Sequence, residues 1–267
     1  MLKDITLGQY FPGKTVVHRL DPRTKLILVI VYIVALFSAK GIVSYSLMVG
    51  TLCGIIAASK INPKIILRSL KPLLFIIALT GILNLFYTQG EPLVSFWIFT
   101  ITKEGVRSAI FMVLRISLLI AGTFMLTYTT SPIALTDGLE MLMNPLKKIK
   151  VPVHELSMMM CIALRFIPTL IEETDKIMSA QKARGADFET GSLLQRAKAL
   201  IPILVPLFIS SFRRADELAV AMECRCYHGG DGRTRMKQLN YTGKDYIALV
   251  GGVVILAAVI VLGIFGL

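Results

Sequence analysis

"LILVIVYIVALFSAKGIVSYSLMVGTLCGIIAA", residues 26–58, is apolar apart from Lys40 and a few small polar side chains. At 1.5 Å per residue the run is too long for one membrane span, which takes about twenty residues, and short for two. The flanking charges decide between these. His18, Arg19, Arg23 and Lys25 precede the run, and Lys60, Lys64, Arg68 and Lys71 lie beyond it. Because basic residues collect on the cytoplasmic side of a bilayer, both ends belong there. The run therefore reads as two short helices turning at Lys40-Gly41. Asp21 suits the N-cap of the first helix and Pro22 its first turn. Arg23 and Lys25 mark the inner interface.

Composition agrees with a membrane chain. Of 267 residues, 55% are hydrophobic and 17% charged, against about 25% charged in soluble domains. Mean hydropathy is +0.70. The net charge of +12 sits in short loops beside apolar runs, as the cytoplasmic leaflet selects. No basic module interleaved with aromatics is present, which excludes nucleic acid as a partner and leaves the lipid bilayer. The four cysteines form no disulfide framework and read as reduced thiols. No signal peptide is visible, so the first span is expected to remain in the mature protein.

Further along, 72–87 and 106–128 each approach the length a bilayer requires. Between them "TQGEPLVSFWIFTITKE" (88–104) carries Trp97, as an outer interfacial segment would. The last apolar run, 246–267, makes a fifth span that leaves the C-terminus outside. The expected architecture is an all-α membrane protein with about five transmembrane helices plus long cytosolic-side coupling helices, multi-pass in the cell membrane, its N-terminus cytoplasmic and C-terminus external. Residues 1–128 form a membrane domain of four spans, 129–245 a region facing the cytosol, and 246–267 the terminal helix.

The middle region differs in kind. Ser131-Pro132 starts a short helix that breaks at "NPLKKIKVP" (144–152). Two long helices come next. In the first, Leu156, Met160, Ala163, Ile167, Leu170 and Ile177 define one apolar face; in the second, Ala197, Ile201, Leu204, Phe208, Ala215, Leu218 and Met222 do so. Pro168, Pro202 and Pro206 should kink these helices without ending them. Charges including Glu172, Glu173, Arg213, Arg214 and Glu217 crowd their C-terminal halves, so neither reads as a simple lipid span. Shifting the chain by 41 residues lays Arg184 on Arg225, Asp175 on Asp216, Ile177 on Leu218 and Ala180 on Ala221. This is a weak internal repeat in which each copy ends at an isolated arginine flanked by small residues. The helix macrodipole favours any cation in a last turn, but it does not require a matched register. Small neighbours would also let an arginine fork enter a partner's groove and bond carboxylate or carbonyl acceptors.

Other motifs carry less. "GQYFPGKT" (8–15) satisfies the G-x-x-x-x-G-K-[ST] pattern of a phosphate loop. Such a loop needs a buried strand before it and a helix after it; only seven residues precede Gly8, and Pro22 breaks any helix that starts at Thr15. Cys224, Cys226 and His228 have metal-binding chemistry but no fourth ligand and no defining spacing, so no metal is expected. Met158, Met159 and Met160 suit adaptable packing. Arg115, inside a span, must face protein or water. With only that residue and Lys40 charged in the spans, a stand-alone ion- or solute-coupled carrier lacks its usual relay. The absence of a nucleophile-base or metal constellation disfavours an intramembrane enzyme.

"HRLDPRTKL" (18–26), "LRFIPTLIEETDKIMSAQKARG" (164–185) and "AVAMECRCY" (219–227), in a layout covering essentially the whole chain, resemble the EcfT-type transmembrane subunit of energy-coupling factor transporters, the vitamin and metal-ion importers of prokaryotes. The resemblance implies two Ala-Arg-Gly-like motifs ending the coupling helices, each docking onto one of two ABC-type ATPase subunits. The first is Ala183-Arg184-Gly185. The second departs from the pattern, with Cys224 and Cys226 around Arg225 where alanine and glycine are usual. It also implies a separate membrane substrate-binding subunit, which the apolar faces at Met160, Ile167, Leu204 and Phe208 would contact. On this reading the chain carries no catalytic residue and no cofactor, and transmits force rather than doing chemistry.

Overall fold

The structure is a computed structural model and describes residues 10–88, 92–96, 99–188, 190, 192–229 and 238–265. Its elements are mostly helical: α1 Val16–Arg19, α2 Pro22–Ser38, α3 Ile42–Ser59, α4 Pro63–Leu70, α5 Leu74–Tyr87, β1 Pro92–Phe96, β2 Phe99–Thr102, α6 Lys103–Thr129, α7 Pro132–Met143, α8 Val153–Ala183, α9 Leu193–Cys224 and α10 Gly243–Ile264. Six helical stretches among the described residues are long and apolar enough to cross a membrane: Ile42–Ser59, Pro63–Tyr87, Lys103–Thr129, Val153–Ala183, Leu194–Cys224 and Gly243–Ile264. With 17 residues, α2 is slightly shorter. The chain is an all-α membrane protein, and the antiparallel hairpin β1–β2, closing at Phe96 opposite Phe99, is a minor departure. Trp97, expected to anchor the outer interface, lies outside the described residues.

Caps explain where the helices begin. The Asp21 carboxylate accepts the Arg23 N–H at 2.8 Å, with Pro22 in the first turn of α2. The turn to α3 falls at Lys40-Gly41, with Lys40 exposed. The third span starts earlier than hydropathy indicates. The Asn62 side chain caps α4 through the Lys64 N–H, and Pro72 sits in a 3-10 turn, Lys71–Leu73, which passes the chain on to α5 instead of stopping it. Likewise Thr102 accepts the Gly105 N–H and moves the start of α6 back to Lys103, while Thr242 and Asp245 form a capping box that moves the start of α10 back to Gly243. Polar caps precede the apolar residues they serve, so hydropathy alone places these boundaries late.

The described residues fall into two compact units, one drawn from Gly8–Leu139 with Leu239–Leu267 and the other from Glu140–Gln238. In the first, Leu36, Met48, Leu118, Met125, Tyr128 and Val259 belong to the buried core where α2, α3, α6 and α10 meet. Arg23 and Lys25, read from the sequence as marking the inner interface, bond within the protein. The Lys25 ammonium donates to the His18 carbonyl (3.2 Å), the Thr129 carbonyl (2.9 Å) and the Thr130 hydroxyl (3.1 Å), which uses all three protons and satisfies the last carbonyl of α6. Arg23 donates to Asp21 and to the Leu239 carbonyl and lies 4.0 Å from the centre of the Tyr241 ring. The Asp21 N–H donates to Asp245 at 2.8 Å, joining the first turn of α2 to that of α10. Arg115 faces protein: its guanidinium donates to the Tyr45 hydroxyl (2.9 Å) and to the Ala39 carbonyl (3.2 Å), closing the α2–α3 turn.

Candidate functional site

The two long helices end alike. α8 stops at Arg184, with Gly185 in the left-handed region at φ 86°. The Ala186 N–H reaches the Gln181 carbonyl at 3.0 Å, and the Gly185 N–H reaches that of Lys182 at 3.0 Å. These six-to-one and five-to-two bonds define a Schellman cap. α9 stops at Arg225, and Cys226 takes the left-handed conformation at φ 54°. Here the Tyr227 N–H reaches the Met222 carbonyl at 3.1 Å, and the Cys226 N–H reaches that of Glu223 at 2.9 Å. The same cap thus recurs in the register of the 41-residue repeat, with an arginine at each C-cap. Cys226 departs from glycine in side chain but adopts glycine's backbone, which residue identity alone does not reveal.

Ala183, Arg184 and Gly185 at one end, and Cys224, Arg225 and Cys226 at the other, are all exposed. The caps bond the Gln181 and Lys182 carbonyls on α8 and the Met222 and Glu223 carbonyls on α9 through the backbone, so neither arginine side chain is required for those four. No group of three or more histidine, cysteine or acidic residues suited to a metal occurs among the described residues. His228 Nδ1 instead pairs with the Cys226 carbonyl at 2.9 Å. Of the apolar faces, Met160, Leu204 and Phe208 are exposed and Ile167 is half-buried. Phe208 packs edge-on against Phe212 at 5.0 Å between ring centres. α8 and α9 run antiparallel: Glu173 meets Ser210 and Arg214, and farther along α8 the Gln181 side chain meets the Pro202 carbonyl.

The phosphate-loop pattern has no strand around it among the described residues. After an irregular stretch the chain forms only the four-residue α1, and the Phe11 N–H donates to the Tyr128 carbonyl. His18 closes the segment, with Nδ1 at 2.6 Å from the Thr15 hydroxyl and Nε2 at 3.0 Å from the Phe11 carbonyl. Burial, with help from nearby Lys25, holds the imidazole below its usual pKa. A cavity of about 490 Å³ among α2, α3, α6 and α10 is apolar. Its one charged lining residue, Lys25, already has every ammonium proton bonded within the protein.

Fold and helix ends together define a multi-pass helical membrane protein that carries a matched pair of arginine-ended helices. The family described as CbiQ, cobalt transport protein, matches residues 13–236. The chain is 56% identical over 250 residues to the energy-coupling factor transporter transmembrane protein EcfT of Clostridium kluyveri, covering 93% of each chain. It is 53% identical to that of Acidaminococcus fermentans over 98% of this chain and 97% of the relative. It is 46% identical to that of Bacillus subtilis over 96% and 97%. The chain belongs to the EcfT family of transmembrane transporter proteins.

Proposed function

We propose that the chain is the force-transmitting scaffold of an energy-coupling factor importer, with Arg184 docking one ATPase subunit and Arg225 the other. The observation that carries this reading is the matched pair of helix ends, each an exposed arginine on a Schellman cap, related by one sequence offset. A cation serving only the macrodipole needs no such register. ATP-driven movement of the partners displaces the two ends, and the exposed apolar faces at Met160, Ile167, Leu204 and Phe208 pass the motion to a separate membrane subunit that binds the substrate. The chain itself performs no catalysis. The basic flanks of α2 and α3 support a cytoplasmic N-terminus, and with α2, α3, α4–α5, α6 and α10 as the five spans and α8 and α9 kept to the cytosolic side, the C-terminus lies outside.

Reversing an arginine's charge in a desolvated groove loses a charge-assisted bond and sets its acceptors against a carboxylate, at a cost of about 2–5 kcal/mol. Arg184→Glu or Arg225→Glu should therefore abolish most ATP-dependent uptake in proteoliposomes, and the double variant should also lose the ATPases on co-purification. Lys182→Glu and Arg196→Glu should do much less, since exposed charges near helix ends contribute about 0.3–1 kcal/mol. If the double variant retains both uptake and ATPase binding, the arginines are not docking points.

A further inference from the structure

We propose that Glu173 and Arg214, with Ser210, form the fulcrum about which α8 and α9 turn; the proposal rests on the coupling role proposed for these helices. Arg214 donates to one carboxylate oxygen of Glu173 at 2.6 Å, and the Ser210 hydroxyl donates to the other. Both charged side chains are partly buried, at 34% and 21% exposure. Their separation of 41 residues equals the offset that lays Arg184 on Arg225. When two antiparallel helices are related by an approximate two-fold axis, only a position on that axis meets its own counterpart. The ion pair therefore marks the axis of the repeat.

Equal levers result. Arg184 lies eleven positions beyond Glu173, and Arg225 eleven beyond Arg214, or about 16 Å of helix on each side. Matched displacements of the two ends leave the axis in place, so a short charge-assisted bond there can persist through a stroke that makes every off-axis contact slide. A cleft of about 560 Å³ lined by Phe166, Ser210, Arg213, Arg214, Glu217 and Leu218 runs beside the pair, leaving room for the helices to turn. A partly exposed ion pair adds little stability; its directionality instead holds the register in which the levers are equal.

The repeat also supplies the control. Thr169 is the counterpart of Ser210, so exchanging the charges by Glu173→Arg with Arg214→Glu gives the relocated carboxylate a hydroxyl on the opposite helix. The experiment compares wild type, Glu173→Gln, Arg214→Gln and the charge exchange in complexes with the ATPases and the substrate-binding subunit. It measures ATPase co-purification, ATP hydrolysis and uptake in proteoliposomes. The glutamine variants should keep the ATPases and hydrolyse ATP, while substrate taken up per ATP falls by roughly two- to thirtyfold, the range for residues that carry coupling between distant sites. The exchange should restore most of the ratio. An unchanged ratio in the glutamine variants, a proportional loss of assembly, hydrolysis and uptake, or an exchange no better than the single variants overturns the fulcrum. Failure of wild type to retain the ATPases overturns the coupling role itself, and the fulcrum with it.

Discussion

Cys226 occupies a backbone conformation that suits glycine. A left-handed residue with a Cβ costs about 1–2 kcal/mol, part of which glycine returns through greater freedom in the unfolded chain. Cys226→Gly should therefore stabilise the protein by about 0.5–1 kcal/mol, read as a higher melting temperature in detergent. Gly185→Val, at the equivalent place on α8, should lower stability by about 1–2 kcal/mol. A Cys226→Gly protein that melts no higher than wild type would rule out strain at this cap. The two arginines and their repeat were legible in the sequence because spacing survives without coordinates. The identical caps were not, since a cysteine in the left-handed region leaves no compositional trace.

Among the elements, the join between α2 and α10 depends on Asp245, which is fully buried and takes bonds from the Asp21 N–H, the Thr242 N–H and the Thr242 hydroxyl. Asp245→Asn would turn an amide donor toward one of these donors and should cost about 1–3 kcal/mol of thermal stability. Gly138 on α7 is as constrained: a Cβ there would lie 2.9 Å from Pro22 Cβ and 3.2 Å from its carbonyl carbon. Because backbone must move to admit it, Gly138→Ala should destabilise by about 1–3 kcal/mol. The segment closed by His18 responds to pH. Its imidazole is held below the usual value, so the contribution to folding is complete above about pH 6.5 and lost as pH falls through the lower native value. Between about pH 7 and 5 the melting temperature of wild type should fall more than that of His18→Gln. Equal slopes would remove His18 from the account. Arg23 and Lys25 show the limit of hydropathy reading at this scale: the charge of each was plain, but its direction depended on acceptors contributed by other elements.

For the whole molecule, topology is the first test. In a protein whose four native cysteines are replaced by alanine, a cysteine at Thr88 should react with an impermeant external reagent in sealed cells, and one at Lys198 should not. Labelling at position 198 would invert the proposed arrangement. The exposed face of α9 gives the second. Leu204→Asp should weaken co-purification of the proposed membrane substrate-binding subunit more than of the proposed ATPase partners, whereas equal loss of both would indicate misfolding.

By itself the sequence determined that this is a membrane protein, roughly where its apolar helices lie, and that two long helices end in matching arginines. Those properties reside in local runs and spacings, because a bilayer acts on each segment's own polarity. The tertiary structure alone decided which polar groups meet. Asp21 finds Asp245 across 224 residues, Lys25 finds Thr129 across 104, and Glu173 finds Arg214 across 41. A buried charge announces that it needs a partner, but only packing of the helices brings one within bonding distance.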